Sequence, residues 1–154
     1  MQKINYPDIH LIGLALTKKT TNKNGQSNID CGKLWQEFEA KNIAYKIHEK
    51  LSDEVFAVYH NYEGDHTQPF SYFIGCKVPK DTKIPDGMQA LTIPAGRFDK
   101  RTAKGKMPDC IAEAWKEIWN SDLKRAYQAD FEVYDERSKD WNDGEVDIYL
   151  SIKS

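Results

Sequence analysis

Asp130-Phe131-Glu132-Val133-Tyr134-Asp135 and Glu145-Val146-Asp147-Ile148-Tyr149-Leu150-Ser151-Ile152 are the two stretches whose reading decides the fold. Both are rich in β-branched and aromatic residues and both alternate along their length, as strands do. Residues 136–144 between them are polar and glycine-containing, so they read as the connection. Successive side chains of a strand point to opposite faces. Phe131 and Val133 therefore share one face, Glu132 and Tyr134 the other. In the second strand Val146, Ile148, Leu150 and Ile152 form one row, and Asp147, Tyr149 and Ser151 the opposite one. With the aliphatic rows under a layer of helices, Glu132, Tyr134, Asp147 and Tyr149 are expected together on the face away from the helices. Such a lining suits a cationic or flat aromatic ligand, through ring faces and a partly desolvated carboxylate. A solvated sheet face displays the same residue types, so alternation alone makes Glu132 a candidate.

Working outward, Pro108 and Asp109 open a helix that runs to about residue 120, with Ile111, Ala114, Trp115, Ile118 and Trp119 as its apolar stripe. Residues 88–93 and 96–105 before it read as extended. The first half follows the same plan. Residues 9–17 form a strand, and residues 20–28 a polar loop containing the turn pair Asn24-Gly25. Asp30 is placed to cap a helix over 32–42, whose inner face carries Leu34, Trp35 and Phe38. Strands follow at 55–62 and 70–78, where Tyr59, Tyr62 and Tyr72, like Trp35, can join either a cleft or the core. Pro79, Asp81, Pro85 and Gly87 then interrupt regular structure. Each half thus reads strand, helix, strand, strand, over about residues 8–80 and 88–153. The halves also share wording, Leu34-Trp35-Gln36-Glu37-Phe38 against Ala114-Trp115-Lys116-Glu117-Ile118. The predicted fold is a single α+β domain over 1–154, in which duplicated βαββ units form one antiparallel sheet. Two helices pack on one face, and a ligand cleft lies between the halves.

Composition narrows the function. There are 22 Lys and Arg against 24 Asp and Glu, a formal net charge of -2, and this balance lacks the basic surplus that nucleic-acid binding requires. The three cysteines, Cys31, Cys76 and Cys110, form no CxxC pair, and at least one must be unpaired within the chain. No apolar run is long enough to span a bilayer. A cytoplasmic protein with reduced thiols and no membrane association is expected. The four histidines show no metal-ligand spacing, and no phosphate-binding or nucleophile-elbow motif occurs, so neither a metal nor a cofactor is expected. The aromatic content of 12% supplies material for a ring-lined cleft as well as for a core.

Thr92-Ile93-Pro94-Ala95-Gly96-Arg97-Phe98, then Ala114-Trp115-Lys116-Glu117-Ile118-Trp119, then the two strands quoted first, resemble the GyrI-like family. These are effector-binding domains found in AraC- and MerR-type transcription regulators and as stand-alone proteins. Leu34-Trp35-Gln36-Glu37-Phe38, Val58-Tyr59 and Ile74-Gly75 extend the resemblance over nearly the whole chain. It implies a cleft between the halves, lined by aromatic residues and holding a functional glutamate on a strand. By motif that glutamate is Glu132, with Tyr149 beside it; Asp147 is a shorter acid where relatives often carry Glu, and Phe70 stands where relatives often show Tyr. The candidate ligand-binding set is Glu132, Tyr134, Tyr149, Asp147, Trp115, Trp119, Tyr59, Tyr72 and Trp35. No helix-turn-helix module precedes the first strand, so a stand-alone member without direct DNA binding is expected. The implied function is sensing or sequestering a small lipophilic, cationic or aromatic molecule. The resemblance also implies two alternatives. One is a hydrolase of reactive cyclopropane-bearing toxins, with Glu132 as general base. The other is a protein-binding modulator of DNA gyrase, the protein partner here being unidentified.

Overall fold

The computed structural model describes residues 2–153. In chain order its strands and α-helices are β1 (Gln2–Tyr6), β2 (Ile9–Ala15), α1 (Gln26–Ala40), α2 (Ile43–Lys46), β3 (Val55–His60), β4 (Ser71–Lys77), β5 (Gln89–Ile93), β6 (Gly96–Gly105), α3 (Asp109–Trp119), β7 (Ala129–Tyr134) and β8 (Gly144–Ser151). The strands form one sheet in the order β1-β6-β8-β7-β3-β4-β2-β5, and every pairing is antiparallel. The two βαββ units thus meet at the central pair β7 and β3, while β5, read with the second half, pairs with β2 of the first. Where β2 crosses β4, Gly13 pairs with Gly75, and a methyl group on Gly13 would overlap the Ile74 carbonyl. Glycine there permits the close backbone approach.

The sheet curls around a core of its own side chains. Tyr6 of β1 meets Phe98, Phe131 and Tyr149 edge-on at centroid separations of 6.1, 6.0 and 5.4 Å. Ile9, Leu11 and Ile93, from the opposite end of the strand order, are buried in the same cluster as Phe98. On the other face the helices take separate flanks. Leu34 and Phe38 of α1 bury against Ile12, Leu14 and Ile74. Cys110, Trp115 and Ile118 of α3 bury against Ala103, Val146, Ile148 and Leu150. The centre of that face, over β3 and β7, is left between them. No helix among the described residues is long and apolar enough to cross a membrane.

Three expectations are corrected. First, α1 begins at Gln26, six residues before the expected start. Asn24 and Gly25, at φ 55° and 69°, turn the chain directly into the helix, so the Asn-Gly turn leads into the helix where the loop was expected to continue to residue 28. Asp30 sits inside the helix and accepts from Thr20 Oγ1 at 2.7 Å and Gln26 Nε2 at 2.9 Å. Second, β1 and α2 went unread: β1 (QKINY) is largely polar, and α2, at four residues, is too short to show a helical period. Third, the four polar residues of β7 and β8 do not share a face. Glu132 pairs with Ile148 and Phe131 with Tyr149, and cross-strand partners lie on one side of a sheet. The row Val146, Ile148 and Leu150 is under α3 as expected, and that register brings Glu132 and Tyr134 to the helix side with it. Asp147 and Tyr149 stay on the other face. Polarity could not make this assignment, because both faces are covered: Phe131 is 0% exposed and Glu132 1%.

Candidate functional site

Where α1 and α3 part, a cleft of about 1480 Å³ opens over the centre of the sheet. Strand alternation supplies its floor: Tyr59 from β3, Tyr72 from β4, Glu132 and Tyr134 from β7. Helical spacing supplies its walls, Trp35 from α1 and the pair Trp115 and Trp119, one turn apart on α3. The rings brace one another. Tyr59 meets Trp115 and Tyr72 at 5.0 Å each, and Trp35 meets Tyr134 at 4.9 Å.

The Glu132 carboxyl sits among three donors, all neutral. Trp115 Nε1 donates to Oε2 at 2.6 Å, Tyr59 donates to the same oxygen at 2.9 Å, and Tyr134 donates to Oε1 at 2.7 Å. Two lone pairs on each oxygen give four acceptor positions, so one position on Oε1 stays open. None of the ion pairs among the described residues involves Glu132. Burial pushes this carboxyl above the usual glutamate range, and the bonds from Trp115, Tyr134 and Tyr59 hold back part of the rise. Burial and the carboxylate together raise the hydroxyls of Tyr59 and Tyr134 well above their ordinary value, so both keep their protons and remain donors. Tyr72 accepts from Trp35 Nε1 at 2.8 Å, which fixes the ring that carries that wall.

One end of the cleft is built differently. Asp130, two residues before Glu132 on the same face of β7, is 0% exposed and accepts from Arg125 Nη2 at 2.6 Å and Tyr62 at 2.6 Å. The backbone N–H of Ser151, at 2.7 Å, and its hydroxyl, at 3.0 Å, complete the set. Beyond it His66 stacks flat on Trp119, with centroids 5.1 Å apart and planes 7° off parallel. This stack ties the β3–β4 connection to α3. Among the described residues no three His, Cys, Asp or Glu side chains gather as a metal would need.

Of the nine residues singled out from the sequence, Glu132, Tyr134, Trp115, Trp119, Tyr59, Tyr72 and Trp35 line the cleft. Asp147 and Tyr149 do not. Asp147 faces away from the helices and is held by Arg137 Nη2 at 2.6 Å and Thr102 at 3.0 Å. Tyr149 stacks on Phe131 at 4.8 Å within the sheet core. Arg125, His66, Cys31, Tyr45 and Trp141 also line the cleft and were not legible as a group. Each stands in a loop, in the four-residue α2, or on a helix face that reads as polar. Cys31 is half-buried, and burial followed by the charge of Glu132 pushes its thiol up.

Comparison with known proteins places the sequence and the fold. The sequence profile of the family described as "Cass2: Integron-associated effector binding protein" matches residues 4–152. The transcriptional regulator BrlR of Pseudomonas aeruginosa is 31% identical over 130 residues, which are 79% of this chain and 46% of BrlR. The crystal structure of integron cassette protein VCH_CASS2, from the mobile metagenome of Vibrio cholerae, is 26% identical. It superposes with a TM-score of 0.72 over 99% of this chain and 95% of its own. The structure of SAV2435 bound to tetraphenylphosphonium is 15% identical and shares the fold, with a TM-score of 0.79 over 99% and 93% of the two chains.

Proposed function

The chain belongs to the integron-associated effector binding protein family, and we propose that it senses or sequesters a lipophilic organic cation, with Glu132 as the counter-charge. The observation that carries this is the carboxyl of Glu132: 1% exposed, bonded to Trp115, Tyr59 and Tyr134, and paired with no cation among the described residues. A buried carboxylate left unpaired raises its pKa or recruits a positive charge. Here Trp35, Tyr59, Trp115 and Tyr134 line the cleft together with Glu132, and aromatic rings attract cations. A delocalised cation without N–H groups suits a carboxylate with one acceptor position left better than a primary ammonium with three donors does. The wider lining agrees in sign. It holds seven carboxylates, Glu39, Asp53, Glu54, Asp109, Glu132, Asp135 and Glu136, against Lys50, Lys116, Arg125 and Lys139. An acidic mouth raises the local concentration of cations and speeds their association. Tetraphenylphosphonium, the ligand bound by SAV2435, is a cation of this class.

The test uses two molecules of the same shape and opposite charge. Calorimetric titration with tetraphenylphosphonium and tetraphenylborate should give affinities differing by a factor of about 100, roughly 2.7 kcal/mol, in favour of the cation. Equal affinities would remove the charge pairing, and binding of neither would remove the ligand class.

A second reading uses the same carboxyl as a general base. A pKa raised by burial and one free acceptor position suit the activation of a water, so hydrolysis of a reactive cyclopropane-bearing toxin is the alternative. Recovery of such a compound unchanged after incubation with the protein would retire it.

A further inference from the structure

We propose that the cleft carries an outer subsite, built by Tyr45 of α2 and Trp141 of the loop before β8, for the far aromatic cationic head of an elongated ligand. This rests on the reading of Glu132 as the seat of the near head. Both rings line the same cleft, although they come from opposite halves of the chain, and both are largely in water, Tyr45 81% and Trp141 61% exposed. Single exposed aromatics are unremarkable on a protein surface, but two facing one concave site mark a place where a ligand completes the packing. The Trp141 backbone is fixed, since its carbonyl accepts from Met107 N at 2.8 Å just ahead of α3. The Tyr45 ring already draws a cation, with Lys50 Nζ 5.7 Å from its centroid. Lys50 is in turn 3.5 Å from Asp53. Asp53 and Glu54 from the first half and Asp109 and Glu136 from the second line the same cleft, beside Lys50 and Lys139. Size points the same way: the cleft, at about 1480 Å³, is larger than the roughly 300–1,000 Å³ of clefts that hold one drug-sized ligand. A molecule with two flat cationic heads on a flexible spacer matches the charge and the aromatic rings of this lining.

The probes are dequalinium, which has two aminoquinolinium heads on a ten-carbon chain, and the compact tetraphenylphosphonium. Calorimetric affinities for both are measured on the wild-type chain and on Trp141→Ala and Tyr45→Ala, whose unfolding midpoints verify folding. The proposal expects the ratio of dequalinium to tetraphenylphosphonium affinity to fall about tenfold in Trp141→Ala and about threefold in Tyr45→Ala, in line with the worth of a cation–π contact. An unchanged ratio in both variants, or a parallel loss for both ligands, would overturn the outer subsite while leaving the Glu132 reading intact. A wild-type chain that fails to bind tetraphenylphosphonium would overturn the Glu132 reading and the outer subsite with it.

Discussion

Asp130 and Glu132 stand two residues apart on one face of one strand, both out of reach of solvent, and the chain treats them in opposite ways. Asp130 receives a guanidinium, a hydroxyl, a backbone N–H and a second hydroxyl. Its charge is cancelled inside the protein. Glu132 receives a comparable number of hydrogen bonds, all from neutral groups. Hydrogen bonds satisfy the oxygens of a buried carboxylate but do not supply the opposite charge that offsets its desolvation. One end of the cleft is therefore a structural joint, and its centre is an unfilled electrostatic demand. That difference is the reason to place the ligand at Glu132 and not at Arg125.

The largest expected effect tests the joint. Arg125→Met leaves Asp130 buried without its cation and should cost about 3–5 kcal/mol of stability, read as a lower denaturant midpoint. A loss below about 1 kcal/mol would mean that Asp130 is not the compensated member of the pair. Next comes a donor at the other carboxylate. Tyr134→Phe removes the bond to Oε1 and should weaken cation binding by about 1 kcal/mol, roughly fivefold. It should also move the pH midpoint of binding upward, because the ionised form has lost a donor. An unshifted midpoint would show that the donors do not hold the charge.

A smaller effect appears in stability against pH. The Glu132 carboxyl titrates above the ordinary glutamate value in the fold, so between the two values the native state binds more protons than the unfolded state. Stability contributed by this group is full below the ordinary value and is lost as pH rises through the raised one. Denaturant unfolding of the wild type and of Glu132→Gln from pH 4 to 8 should show this fall only in the wild type. Identical slopes would contradict it. The smallest effect is on Asp147, which faces the opposite side of the sheet. Asp147→Asn should change tetraphenylphosphonium affinity by less than about twofold, and a larger change would restore it to the site.

Much of this was legible in the sequence, and what was not has particular causes. The strands around Glu132 and the helix carrying Trp115 announce themselves by period, and their order implies the shared sheet and the seam between halves. The face of Glu132 was misjudged because alternation fixes which residues lie together within a strand and leaves open which row of the next strand they join. Only the pairing of Glu132 with Ile148 decides that. The usual cue, that acids face water, fails for Glu132, which is 1% exposed and held by three side-chain donors. Asp130 went unremarked for a related reason: its partner Arg125 lies in the irregular link after α3, where no periodicity brings the two together. Tyr45 and Trp141 likewise sit where the sequence reads as polar turn.

The most direct measurement compares tetraphenylphosphonium affinity of the wild type and Glu132→Gln by calorimetry at neutral pH. The substitution keeps the shape and an acceptor oxygen for Trp115 and Tyr59 while removing the charge. A fall in affinity of at least about tenfold, roughly 1.4 kcal/mol, with stability no lower than wild type, is the predicted result. Unchanged affinity in a folded variant would contradict the assignment of Glu132 as the counter-charge.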